Sequence, residues 1–228
     1  MRLNAVFLAV TFMLLHSPMA EAGEPVVTRT AGDVAAGVIV STSGIGPELA
    51  WWPSARWALR ADTAFFYLDR KFGIAGVQYN GDARLTSVGG TVDYFPWDDR
   101  GWRVSVGGRA NFTELRAKGR ARELVRVGQI ALTPEELGLV KGRAWFPRAA
   151  PYAGIGFTGP VGNEGWLSVL DIGLLYQGKP RVRLSADGPV TDDPRFQPVI
   201  EMEERRLVKE LKNLAFYPAV KLGMLYRF

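Results

Sequence analysis

Apolar residues recur at every second position along several segments, and an aromatic side chain stands near each end of most of them. In the last such segment Phe216, Pro218, Val220, Leu222, Met224, Tyr226 and Phe228 fall on one face. Tyr217, Ala219, Lys221, Gly223, Leu225 and Arg227 fall on the other. After Gly101 the same pattern puts Trp102, Val104, Val106 and Phe112 opposite Arg103, Ser105, Arg109 and Asn111. A period of two is the period of a β-strand. A soluble sandwich also alternates, but it needs large residues inside and polar ones outside. Here the polar face carries glycines and charges of both signs, which suits a narrow interior. Trp57 and Phe65, Trp102 and Phe112, Trp166 and Tyr176, and Phe216 and Phe228 bracket the apolar faces. That spacing matches a membrane strand crossing between two interfacial aromatic girdles.

The N-terminus reads as a cleaved signal peptide over residues 1–22. Arg2 is its basic start, 5–15 its apolar stretch and Ala20-Glu21-Ala22 its small-residue cleavage site. The barrel is then expected over 23–228. The chain has 0 Cys, and its 1 His is His16, inside the signal. The mature segment therefore lacks the residues of a Ser-His hydrolase, a Cys nucleophile, or a His or Cys metal site. No enzyme, metal or cofactor is expected. No stretch after Leu15 is long and apolar enough for a transmembrane helix.

Counting strands back from Phe228 gives segments 215–228, 165–179, 149–158, 101–114, 84–96, 56–68 and 47–52, with 34–42 as the eighth. A barrel with both termini on the periplasmic side needs an even number. The fold class is thus all-β, an eight-stranded antiparallel transmembrane β-barrel with short helices in the outer loops. Segments 73–82, 115–148 and 186–214 are expected outside, and strand 165–179 is allowed an extension to Ser185. Residues 34–52 read as a hairpin turning at 43–46, with one long bent strand as the alternative.

Alternation points Glu48, Arg60, Asp62, Asp93, Arg103, Arg109, Asp171, Gln177, Lys179, Lys221 and Arg227 inward. Charges inside so narrow a barrel are costly unless paired. They are expected to form a polar plug or, alternatively, a path for small charged solutes such as amino acids. On the path reading, Asp62, Asp93 and Asp171 meet a cationic group, and Arg60, Arg103 and Arg109 meet a carboxylate.

Thr133-Pro134-Glu135-Glu136 carries a capping-box signature, and 199–214 has helical spacing with Glu201 and Arg205 at i,i+4. The basic run Arg116, Lys118, Arg120, Arg122 and Arg126 is expected to face the phosphates of lipopolysaccharide, because guanidinium pairs well with phosphate. It has no aromatic stacking platform, and the chain is read as exported, so the net charge of +5 does not indicate nucleic acid. Tyr226 and the terminal Phe228 resemble the C-terminal assembly signal of outer-membrane barrels, which implies the barrel-assembly machinery as a partner. A monomer in outer-membrane lipid is expected.

Three blocks carry a family resemblance. They are 38–49 (VIVSTSGIGPEL), 150–157 (APYAGIGF) and 171–182 (DIGLLYQGKPRV). In order and spacing they are similar to the strands of a family of small proteobacterial outer-membrane barrels. That family includes the carbapenem-associated outer-membrane protein, an ornithine uptake porin. The resemblance implies a Gram-negative outer-membrane location and an eight-stranded barrel. The shared motifs are structural and carry no substrate-binding residue. Function is therefore expected to be either a narrow channel for small charged solutes or a closed structural or envelope-interaction barrel with lipopolysaccharide-binding loops. A soluble periplasmic β-barrel binding protein is the third reading.

Overall fold

The computed structural model describes residues 28–74, 77–121, 124–127, 130–162, 165–194 and 196–228. The signal segment 1–22 and Arg122 lie outside the described residues. In chain order the strands are β1 (Val34–Ser41), β2 (Gly44–Ser54), β3 (Trp57–Ile74), β4 (Val77–Tyr94), β5 (Trp102–Asn111), β6 (Glu114–Ala121), β7 (Val125–Val127), β8 (Ile130–Leu132), β9 (Leu139–Trp145), β10 (Ala149–Pro160), β11 (Trp166–Tyr176), β12 (Arg181–Ser185) and β13 (Phe216–Arg227). Helix α1 is Pro134–Leu137 and helix α2 is Phe196–Glu210.

Eight of these strands close on themselves. β1 pairs with β2, β2 with β3, β3 with β4, and β4 with β5. β5 pairs with β10, β10 with β11, β11 with β13, and β13 returns to β1. Every pairing is antiparallel, and closure leaves the barrel wall without a free edge. Residues 34–52 form a hairpin, since Val34 pairs with Trp51 and Ser41 with Gly44. Both termini share one end with the short connections 55–56 and 95–101, so that end is the periplasmic one.

The outward faces are apolar and open. Val38, Val40, Leu49, Val106, Ile155 and Ile172 are each more than half exposed, a pattern that suits lipid and not water. Aromatics pair across strands at both rims. At the periplasmic rim Trp57 lies 4.9 Å from Tyr94, Trp102 5.5 Å from Phe157, and Trp166 5.2 Å from Tyr226. At the outer rim Tyr176 lies 5.0 Å from Phe216.

The outer segments differ from the sequence reading in several respects. The stretch 73–82, expected as a loop, continues the β3–β4 hairpin, each strand of which has 18 residues. That length far exceeds a membrane crossing. On the β4 side the surplus is not left as an edge. The upper half of β4 pairs with β6, β6 with β9, and β9 with β12. Much of 115–148 is therefore an extramembrane sheet built on the barrel wall. The expected strand 165–179 ends at Tyr176, because the chain turns at Gly178 with φ +73° before entering β12. Helix α1 has the capping box its sequence announced, with Thr133 and Glu136 bonded reciprocally. Helix α2 begins three residues before the expected start and passes into a 3-10 turn at Leu211–Ala215.

Candidate functional site

The inward faces build the barrel interior in layers. Nearest the periplasm the layer is apolar: Ala35, Ala50, Trp52, Ala58, Phe95, Leu167, Val169 and Leu225 pack as one buried cluster. Arg29, which no sequence pattern singled out, clasps this end. Its guanidinium donates to the carbonyls of Ala55 (2.9 Å), Arg100 (2.9 Å), Trp97 (2.7 Å) and Asp98 (3.1 Å). It also lies over the Phe95 ring at 4.1 Å. Arg29 thereby ties the segment before β1 to the turns at both ends of the β3–β4 hairpin base.

Above the apolar layer the charges meet. Arg60 on β3 donates to Asp93 at 2.5 Å, Asp171 at 2.8 Å and Glu48 at 3.1 Å. Arg103 on β5 donates to Asp171 at 2.7 Å, lies 3.3 Å from Asp93, and also donates to the Thr158 hydroxyl. Toward the mouth, Arg109 grips Asp62 at 2.5 Å and 3.2 Å and reaches the Ser87 hydroxyl at 3.1 Å. Lys221 on β13 joins the two groups, donating to Glu48 at 2.5 Å and to Asp62 at 2.9 Å.

Arg60, Arg103, Arg109 and Lys221 thus balance Glu48, Asp62, Asp93 and Asp171 in one continuous chain of ion pairs. The chain draws on β2, β3, β4, β5, β11 and β13. Arg60, Arg103, Glu48, Asp93 and Asp171 are at most 2 % exposed as side chains. Charges this deep are tolerated only because each carboxylate has a cationic partner. Glycines on neighbouring strands leave the room. A Cβ at Gly156 would collide with Asp171 and approach Arg103 to 3.0 Å, and one at Gly89 would meet Arg109 at 2.8 Å. Above the network Asn111 donates to Gln177 at 2.7 Å. The cavity at the mouth, lined by Ser41, Thr91, Arg109, Tyr152 and Lys221 among others, has about 20 Å³, room for about one water.

The inward set read from alternation therefore comes together, with two corrections. Lys179 lies beyond the end of β11, past the turn at Gly178, and is exposed. Arg227 stands apart from the network at the periplasmic rim, where it donates to the Thr28 carbonyl at 2.7 Å and faces Asp33 at 3.4 Å. Among the described residues, no group of three or more His, Cys, Asp or Glu is arranged to hold a metal ion.

The basic run is not a loop. Arg116, Lys118 and Arg120 alternate along β6 and are all exposed. Arg126 lies on β7, whose backbone pairs it with Ala131. Tyr226 packs between Trp166 and Phe228 in the periplasmic girdle, and the Phe228 amide donates to Val34 at 3.0 Å.

A closed eight-stranded antiparallel barrel, apolar outside and charge-filled within, is the architecture of a small outer-membrane β-barrel protein. Solved structures similar to this chain include two from one organism. One is Acinetobacter baumannii CarO, with 22 % identity and a TM-score of 0.55, covering 85 % of this chain and 97 % of that one. The other is A. baumannii CarO2, with 18 % identity and a TM-score of 0.59, covering 88 % of this chain and 100 % of that one. Both are outer-membrane β-barrel proteins, and they are the group the sequence motifs resemble. No family model matches the chain, and no curated protein does.

Proposed function

We propose that this chain is a closed, non-enzymatic outer-membrane barrel whose interior is structural and whose working surface lies outside the membrane. The observation that carries the reading is the pairing of all eight interior charges with one another above an apolar layer. A solute path needs charges free to exchange partners with the solute. Here Glu48, Asp62, Asp93 and Asp171 hold Arg60, Arg103, Arg109 and Lys221, so each of these interior carboxylates is already engaged. Below them a charged solute would have to cross the packing of Trp52, Phe95 and Leu225 without compensation. Export through the 1–22 signal, assembly through the Tyr226 and Phe228 terminus, and a monomeric state in lipid belong to the same proposal.

The test is single-channel conductance of the refolded chain in a planar bilayer, with Arg109→Ala and Asp93→Ala alongside. The expected result is a silent wild type and leaky variants. Steady wild-type openings that either variant alters would overturn the closed reading in favour of a narrow channel for small charged solutes.

A further inference from the structure

The extramembrane sheet has two unlike faces. One is sealed: Ala121, Leu132, Leu137 and Phe196 form a buried cluster, with Val140 and Ile200 packed against it. The Leu184 amide also donates to Glu204 of α2 at 2.7 Å, fixing that helix to β12. The other face is open and basic. Residues paired across antiparallel strands project to the same side, so the register lays the face out in rows. In one row Asp82 of β4 pairs with Arg116, Arg116 with Arg143, and Arg143 with Arg183. In the next row outward Lys118 pairs with Lys141. In the row nearer the membrane Arg84 pairs with Glu114, Glu114 with Trp145, and Trp145 with Arg181.

Like charges opposite one another on a sheet are destabilising, so three arginine or lysine neighbours in adjoining rows need an explanation. Three anions answer part of it, the first being Asp82 opposite Arg116. Glu114 binds Arg116 at 2.7 Å and also binds Arg143, and Asp187 lies 3.5 Å from Lys141. Among the described residues, Arg183, Lys118 and Arg181 are exposed and make no ion pair.

The position of the face decides what fits it. The β3–β4 ladder runs from Trp57↔Tyr94 to Ile74↔Val77 without a register shift. Arg84 and Asp82 therefore lie on the same side of β4 as Val92 and Val88, which face lipid. The first cation stands beside the outer aromatic belt, where the Arg84 guanidinium lies 5.6 Å from the Tyr67 ring. The basic face is thus the upward continuation of the lipid-facing wall, at the height where headgroups begin. Guanidinium groups pair with phosphate in a bidentate manner, which favours Arg at such a surface.

We propose that this face binds the phosphate groups of outer-leaflet lipid flanking the barrel. The inference rests on the outer-membrane reading above and names the partner of its outer surface. Continuity with the wall favours a lipid held in the leaflet over a polyanion arriving from solution.

The full chain, refolded in nanodiscs of zwitterionic lipid doped with bis-phosphorylated lipid A, tests it. Lipid A retained per barrel is counted by native mass spectrometry, and the monophosphorylated form serves as the second probe. The expected result is preferential retention of the bis-phosphorylated form. Retention should fall about tenfold or more in Arg116→Gln/Lys118→Gln/Arg143→Gln/Arg183→Gln. It should rise in Glu114→Gln, which frees Arg116 and Arg143 for the ligand. Heat-modifiable gel migration checks that each variant is folded, and Glu114→Gln keeps the test decisive if the quadruple variant does not fold. Equal retention of both lipids, or no change in either variant, overturns the proposal. So does displacement of the lipid by a soluble sulfated polysaccharide at equal charge. Planar-bilayer conductance is read on the same refolded protein, so an open barrel that still retains lipid A would overturn the closed reading alone.

Discussion

Gly156 stands directly across the β10–β11 ladder from Asp171, and the absence of a side chain at 156 is what lets the Asp171 carboxylate turn inward to Arg60 and Arg103. The relationship links a backbone choice to an electrostatic one. A small residue on one strand creates the space in which a neighbouring strand keeps its charge.

Gly156→Ala should therefore destabilise the barrel by overpacking, by about 1–3 kcal/mol. Gly90→Ala is the control. A Cβ there points outward, meeting nothing nearer than the Arg60 carbonyl at 3.9 Å, and should change little. Urea unfolding in micelles, followed by tryptophan fluorescence, compares the two midpoints. Equal midpoints would refute the packing argument.

The network also ranks its own members. Every carboxylate of the network keeps a second cation when either arginine is removed, but Arg60 is 2 % exposed and touches three carboxylates, whereas Arg109 is 12 % exposed and, among the described residues, pairs with Asp62 alone. Breaking a buried pair costs about 3–5 kcal/mol because it leaves buried charge uncompensated, and the deeper the site the less water can make up for it. Arg60→Ala should lie at or above that range, and Arg109→Ala below it. In an Arg60→Met/Asp93→Asn double-mutant cycle the coupling should be clearly non-zero. The same unfolding assay reads all of them, and additivity at this pair would contradict the geometry.

At the periplasmic end, Arg29→Ala should loosen the segment before β1 by about 2 kcal/mol, the scale of losing charged hydrogen bonds, here to partly buried carbonyls. Arg29→Lys should restore little, since an ammonium cannot span four carbonyls as the guanidinium fork does. Hydrogen exchange at residues 28–33 and 95–101 should quicken together in both variants. Unchanged protection would mean that the clasp is not structural.

How far the sequence discloses this molecule depends on what kind of alternation each segment shows. Trp102 to Phe112 and Phe216 to Phe228 alternate apolar with polar, so both their strand character and their inward charges can be read directly. Glu114 to Ala121 alternates charged with small residues. It has the strand period without a greasy face, and it reads as a basic loop. Its partners are set by long-range register to β4 and β9, which no local pattern specifies. The inward direction of Lys179 fails for a local reason, since Gly178 adopts a left-handed conformation and ends the alternation before it reaches that residue. Arg29 gives no periodic signal because its partners are carbonyls of irregular turns.

The outer sheet should respond to acid before the barrel does. Glu114 lies outside the membrane span, and its carboxyl is held below the usual glutamate range, chiefly by the hydrogen bond from Arg116. Burial opposes that shift, and Arg143 reinforces it. A carboxylate with a lowered folded pKa contributes stability that is present above its unfolded value, about 4.3. That contribution is lost as pH falls through the lower folded value. Because Glu114 is partly exposed and its partners Arg116 and Arg143 are largely so, the effect is local and small. On lowering the pH below about 4.3, hydrogen exchange across β6 and β9 should speed up while β11 and β13 keep their protection. Glu114→Gln should show the faster exchange already at neutral pH and lose the pH dependence. If the variant retains the same pH dependence as the wild type, another group is responsible, and the pairing of Glu114 with Arg116 and Arg143 does not hold this part of the sheet.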